Sequence, residues 1–174
     1  MNLKHKLILF ILIFFNITNL YATEKFVYVD MEFLVNSSEA GKDISSKISK
    51  MHKKELEELK KIEEELKKGE TDIINKKNVI SNEEFEKKLS ELRKKASDYQ
   101  KQRNNNTKSL SEKRIKATNE LLNLIQPILT EFANQNSISI IFQKKAIVIG
   151  KTDSDITNQI LKILNEKHKE IVLN

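Results

Sequence analysis

The sequence predicts an α+β fold: a small β-sheet body carrying a long antiparallel helical hairpin, a coiled-coil tentacle. Three observations predict it. Apolar residues recur at heptad spacing through the middle of the chain. Short β-rich runs sit near both ends. Gly and Pro are scarce, with 3 and 1 in 174 residues, which favours long uninterrupted helices. Charged residues make up 32% and aromatics 6%, too much charge for a large compact core and too few aromatics for an aromatic pocket.

Residues 1–22 read as a secretory signal peptide. Lys4, His5 and Lys6 form a basic start, and Leu7 to Phe15 (LILFILIFF) is an unbroken apolar run. Asn16, Thr18 and Asn19 follow, and Ala22 suits the position before a cut at Ala22–Thr23. An uncleaved membrane anchor would need roughly 20 apolar residues, more than this run supplies. The whole chain has 31 Lys and Arg against 25 Asp and Glu, a net charge of +6. Cleavage removes two lysines and no acid, leaving +4 on residues 23–174. There is no cysteine, hence no disulfide framework, thiolate metal site or cysteine nucleophile.

The first element is a strand, Phe26-Val27-Tyr28-Val29, whose continuous apolar character predicts burial on both faces. Met31 to Val35 either continues it or forms a short helical turn. Asn36, Ser37 and Ser38 offer N-caps for a helix from about 38 to 76, with Glu39 in its first turn. Leu59, Leu66, Ile73 and Ile80 share one seven-residue seam, with Ile62 beside it. Around it, Glu57–Lys61, Glu63–Lys67 and Glu64–Lys68 stand at i,i+4, each contributing about 0.3–0.5 kcal/mol.

The tip is expected at about 69–82. Ser81-Asn82-Glu83-Glu84 is a capping box that starts a second helix running to about 134. Phe85, Leu89, Leu92, Ala96 and Tyr99 follow alternating steps of four and three. The seam turns polar at Arg103 and Asn106 and resumes at Leu110, Ala117, Leu121, Leu124 and Ile128. Pro127 is expected to kink this helix or begin a new segment. At 1.5 Å per residue the two helices reach roughly 60 and 80 Å, too long for a globule of this size, about 30 Å across. They must project as a hairpin comprising residues 38–134.

Ser137 to Phe142 and Ala146 to Ile149 read as two further strands. The short Gln143-Lys144-Lys145 link makes them a β-hairpin. Thr152 or Asp153 is expected to cap a last helix with the stripe Ile156, Ile160, Ile163 and Leu164. Residues 23–37 and 135–174 thus form the β-rich body, with one three-stranded sheet covered by one helix. A body this small rarely stabilises itself by more than a few kcal/mol, so oligomerisation through it is expected.

Little points to catalysis or to a cofactor. His52 and Glu55 stand at i,i+3, but with no third ligand nearby His52 reads as a solvated or seam residue. Walker, Rossmann and nucleophile-elbow patterns do not occur. No catalytic, cofactor-binding or metal-binding residue is expected. Residues 87–116 carry eleven bases and three acids. Export argues against nucleic acid, and favours acidic polymers, anionic lipid headgroups or negatively charged client proteins. A helix merely solubilised by lysine would look the same.

The ends of the chain resemble the Skp/OmpH periplasmic chaperones. FVYVDMEFLVNSSEAGK (26–42) is similar to the family's opening strand and to the Gly-Lys at the base of its tentacle. SISIIFQKKAIVIGKTDSDITNQILKILN (137–165) is similar to its closing strands and final helix. The resemblance implies a periplasmic homotrimer and an ATP-independent holdase for unfolded outer-membrane β-barrel proteins. It also implies lipopolysaccharide or anionic lipid as a further partner, with no residue carried over for that role. Client contact is expected from Leu59, Ile62, Leu66, Ile73, Phe85, Leu89 and Leu92, with Lys87, Lys88, Arg93, Lys94 and Lys95. Packing within the hairpin is an equally available role for each apolar member. The alternatives are a structural coiled-coil protein of the envelope without chaperone activity, and a signal-anchored membrane protein.

Overall fold

The computed structural model describes residues 24–173. The expected signal peptide and its cut at Ala22–Thr23 lie outside the described residues. The order of elements is β1 (Lys25–Val29), α1 (Met31–Ser37), α2 (Glu39–Lys76), α3 (Asn82–Gln135), β2 (Ile138–Gln143) and α4 (Thr157–Lys167). Helix dominates, with two long helices and one small two-stranded sheet.

Asp30 ends β1 and starts α1, its side chain accepting from Phe33 N at 2.9 Å. Residues 31–37 are therefore helical and do not extend the strand. Ser38 then caps α2. Its hydroxyl is fully buried and accepts from Gly41 N at 3.1 Å. Ser38 N in turn donates to Leu34 O, so one residue closes α1 and opens α2. Gly41 is sealed into this elbow. A Cβ there would lie 1.7 Å from the Val35 carbonyl oxygen, an impossible contact.

Helix α2 runs without a break through Gly69 to Lys76, and the turn before α3 is confined to 77–81. Ser81 caps α3 by accepting from Glu84 N at 3.2 Å, as a capping box requires. Pro127 lies inside α3 without ending it. At its far end, Asn136 Nδ2 donates to Phe132 O at 2.8 Å and Ser137 takes a left-handed φ of 51°. That reversal turns the chain into β2.

The sheet differs from the expected one. β1 and β2 pair in parallel, Val27 opposite Ile141 and Tyr28 opposite Phe142. Parallel partners need a long crossover, which the helices provide. The expected third strand over 146–149 is absent from the sheet, so the expected β-hairpin does not form. Lys144–Ala146 instead makes a 3₁₀ turn, closed by Ile147 N donating to Lys144 O at 3.0 Å. Burial on both faces of β1 is also corrected. Val27 and Val29 face the core, while Phe26 is exposed and stacks edge-on against Phe142 with centroids 6.4 Å apart. A single helical layer covers one face only.

The core gathers Val27 and Val29, Leu34, Ile44 and Ile48, Ala117, Leu121, Ile125 and Ile128, Ile156 just before the last helix, and Ile160 and Leu164 within it. Helix α4 starts later than expected, and Thr152–Ser154 is a separate 3₁₀ turn. Ile156 stands at the N-cap and offers no side-chain cap; Asp155, one residue earlier, accepts from Thr157 N at 3.0 Å and from the Thr157 hydroxyl. That hydroxyl accepts from Asp30 N at 2.9 Å, tying the end of β1 to the start of α4. Lys144 closes the clasp, its Nζ 3.0 Å from Asp155 Oδ2. Burial alone would raise the Asp155 carboxyl, but hydrogen bonds from Thr157 and Lys144 outweigh it and hold it below the ordinary carboxylate value.

Two outcomes follow from this packing. Gly41→Ala, although Ala is the better helix former, is expected to cost at least about 2 kcal/mol by forcing the elbow apart, as read by urea unfolding. A depressed carboxylate adds stability above its unfolded pKa and loses it as pH falls through the folded one. Asp155→Asn should therefore lower the midpoint of thermal unfolding at pH 7, and the gap to the parent chain should close below about pH 4. A gap that is constant across that range would contradict the clasp.

Candidate functional site

The helices α2 and α3 pack on each other beyond the body. Of the residues expected to make contacts there, Leu59 and Ile73 of α2 are buried. Ile62 and Leu66 of α2 and Phe85, Leu89 and Leu92 of α3 are half-buried. Their heptad spacing turns one edge of each side chain into the seam and leaves the other edge open. Gly69 sits where the helices come close: a Cβ there would lie 3.0 Å from Leu92 Cδ1. A cleft of about 180 Å³ opens at this point. It brings together Ile73, Leu92, Lys88 and Lys95 of the expected set.

The bases lie along the first turns of α3, with Lys88 and Lys95 bordering the cleft. Lys88 is half-buried and pairs with Glu84 at 3.6 Å. Lys87, Arg93, Lys94 and Lys95 are exposed, and among the described residues none lies within ion-pair distance of an acid. Their charge is free to act on a partner. Of the three i,i+4 pairs expected on α2, Glu63–Lys67 forms at 3.1 Å. Such exposed pairs contribute little.

Sequence periodicity passed over another apolar set. Leu56 is 51% exposed, Ile74 65% and Ile115 58%. All three lie off the seam register, and that displacement is the signal that could have found them. Val79, in the turn, is exposed as well. Midway along the pair the seam is polar. Gln102 and Asn106 are half-buried, and Glu55 Oε2 is buried without a hydrogen-bond partner among the described residues. An unpaired buried oxygen is costly. His52 is exposed. Among the described residues no group of three metal-binding side chains occurs, and no helix is long and apolar enough to cross a membrane.

The body has open apolar surface of its own. Phe26, Ile140 and Phe142 are exposed on the outer face of the sheet. Val148 is 97% exposed and Ile149 92%. β2 has β1 on one side only.

A small body thus bears two long packed helices, with exposed bases and open apolar side chains along them. The chain belongs to the outer membrane protein (OmpH-like) family, whose model matches residues 25–164. Its fold matches a crystal structure of a candidate outer membrane chaperone (OmpH-like) from Caulobacter crescentus CB15, with a TM-score of 0.83. The match covers 87% of this chain and 89% of that one at 17% sequence identity. No curated protein matches the chain in sequence.

Proposed function

We propose that this protein is an ATP-independent periplasmic holdase that binds unfolded outer-membrane β-barrel proteins and prevents their aggregation before membrane assembly. The observation that carries the reading is the coexistence of open apolar side chains and unpaired bases along α2 and α3. A barrel precursor exposes alternating apolar strands with unpaired edges, which aggregate. Scattered contacts with Leu56, Ile74, Ile115 and the open edges of the seam residues hold such a chain weakly and impose no structure on it. Lys87, Lys88, Arg93, Lys94 and Lys95 attract acidic clients and, by the same chemistry, anionic lipid or lipopolysaccharide. Release needs no nucleotide, because folding into the membrane is more favourable for the client.

In this reading α2 and α3 form an antiparallel coiled-coil tentacle, and three chains join through their bodies. The apolar outer face of the sheet, the free edge of β2 and the protruding Val148-Ile149 support self-association. A groove of about 300 Å³ lined by Met31, Leu129, Ile141 and Phe142 lies beside the same edge. Exposed apolar surface of this kind marks an interface. Membership of the family and the described role of the Caulobacter protein support the same function.

A urea-unfolded barrel protein diluted into buffer with residues 23–174 should scatter less light, with suppression complete near three chains per client and no ATP. Unchanged aggregation at excess protein would favour the structural coiled-coil alternative. Replacing Leu56, Ile74 and Ile115 together by Ser should weaken suppression several-fold, since each open side chain contributes about 1 kcal/mol or more on burial, while leaving the helical content intact. Raising salt should weaken capture. Sedimentation equilibrium at micromolar concentration should give the mass of a trimer, and a monodisperse monomer would refute association through the body.

A further inference from the structure

Past the end of α4 the chain continues as an extended strap, residues 168–173, which lies beyond the part that matches the family model. The strap returns to the first turns of α2 and is held there residue by residue. Lys169 Nζ stands 4.0 Å from Glu39 and Glu170 3.9 Å from Lys47. At Ile171 both backbone groups are bound by side chains of one helical pair. Ile171 N donates to Asp43 Oδ2 at 3.2 Å, and Lys47 Nζ donates to Ile171 O at 2.9 Å. Asp43 and Lys47 are themselves paired at 2.7 Å. The Lys47 hydrogen bond holds the Asp43 carboxyl below its ordinary range.

The side chains alternate. Ile171 is buried in the core cluster, Val172 points out, and Leu173 packs partly against that cluster. The α2 root therefore reads a peptide in two ways. It satisfies one residue's N–H and C=O, and it accepts apolar side chains at i and i+2. Backbone recognition of this type is indifferent to sequence, and alternate-residue pockets supply what selectivity there is.

We propose that the Asp43–Lys47 clamp with its adjoining apolar site is a binding site for an extended peptide segment with apolar residues at i and i+2, which the chain's own Ile171-Val172-Leu173 occupies until a client segment displaces it. The inference rests on the proposed holdase reading for its ligand. A transmembrane β-strand before folding has this alternation and free backbone groups. The strap contributes to the core, yet it lies outside any helix or strand and its flanking ion pairs, Lys169–Glu39 and Glu170–Lys47, are long and exposed; local opening is easiest in such segments. An intramolecular occupant also sets a threshold: a client segment must compete with a strap tethered in place.

The absence of cysteine permits a direct test on the full chain. Ile171→Cys places a thiol that should react slowly while the strap is docked, and Leu164→Cys, fully buried in α4, serves as control. Adding an unfolded barrel protein should speed labelling at position 171 about tenfold or more, as expected for local opening, and leave position 164 unchanged. Lys47→Met should speed labelling at 171 without client. Hydrogen exchange of the strap in the unsubstituted chain should show the same loss of protection on client addition, whatever the cysteine variant does. Labelling and exchange unchanged or slowed by a client that the protein demonstrably keeps from scattering would overturn the displaceable strap and leave the holdase reading standing. Rapid labelling at 171 with no client present would overturn it too. If scattering is not suppressed at all, the holdase reading fails, and the strap is then tested with a synthetic peptide of sequence KHKEIVLN. Failure of excess peptide to speed labelling at 171 would end the proposal.

Discussion

Everything beyond the body takes its direction from one close approach, that of Gly41 to the carbonyl of Val35. The two helices α1 and α2 meet there with no room for a Cβ. Ser38, fully buried, supplies the cap that both helix ends require. A small angular error at this elbow would be magnified along α2, which is about 57 Å long at 1.5 Å per residue. The rest of the packing makes that angle rigid. Ile44 and Ile48 on the first turns of α2 share one core with Leu121, Ile125 and Ile128 of α3 and with Ile160 and Leu164 of α4. The Asp155–Thr157–Asp30 clasp joins the end of β1 to the start of α4.

Apolar residues are divided between two duties. Those on the heptad seam, such as Leu59 and Ile73, hold α2 to α3. Those off it, such as Leu56 and Ile115, are left to water at a cost in solvation. Charge is divided in a similar way. Lys67 and Lys88 answer nearby acids, whereas the run Arg93-Lys94-Lys95 does not. Stability and availability are thereby assigned to different faces of the same helices, and a change on one face need not disturb the other.

The long helices were legible in the sequence because their signals are local. Heptad spacing, the Ser38 cap and the Ser81 capping box act within a few residues, and the observed ends of α2 and α3 match them. The sheet was less legible. Ala146-Ile147-Val148-Ile149 has strand composition, but strand pairing is decided by a partner elsewhere, and Lys144–Ala146 turns the chain away. Composition likewise suggested a two-sided burial of β1 that needs a second covering layer. Thr152 and Asp153 are competent caps in the sequence, but they lie in a separate 3₁₀ turn, and α4 begins only at Thr157, whose hydroxyl accepts from Asp30, 127 residues away. The seam residues of the candidate site were legible from periodicity. Exposed Leu56, Ile74 and Ile115 follow from the same periodicity only when it is read in reverse, as apolar residues that stand off the seam register.

The parallel pairing of β1 with β2 has a kinetic consequence. Tyr28 has Phe142 beside it on one strand and Asp155 on the other edge, and its hydroxyl donates to the carbonyl of Lys151, 123 residues along the chain. Contacts of such high sequence separation make this body a region of high contact order, slow to assemble, joined to helices whose own formation is fast. A nascent chain would wind α2 and α3 early, while β1 stayed an unpaired apolar strand until residues 138–156 had been made. During that interval the protein carries the same aggregation hazard that its open surfaces are suited to cover in others.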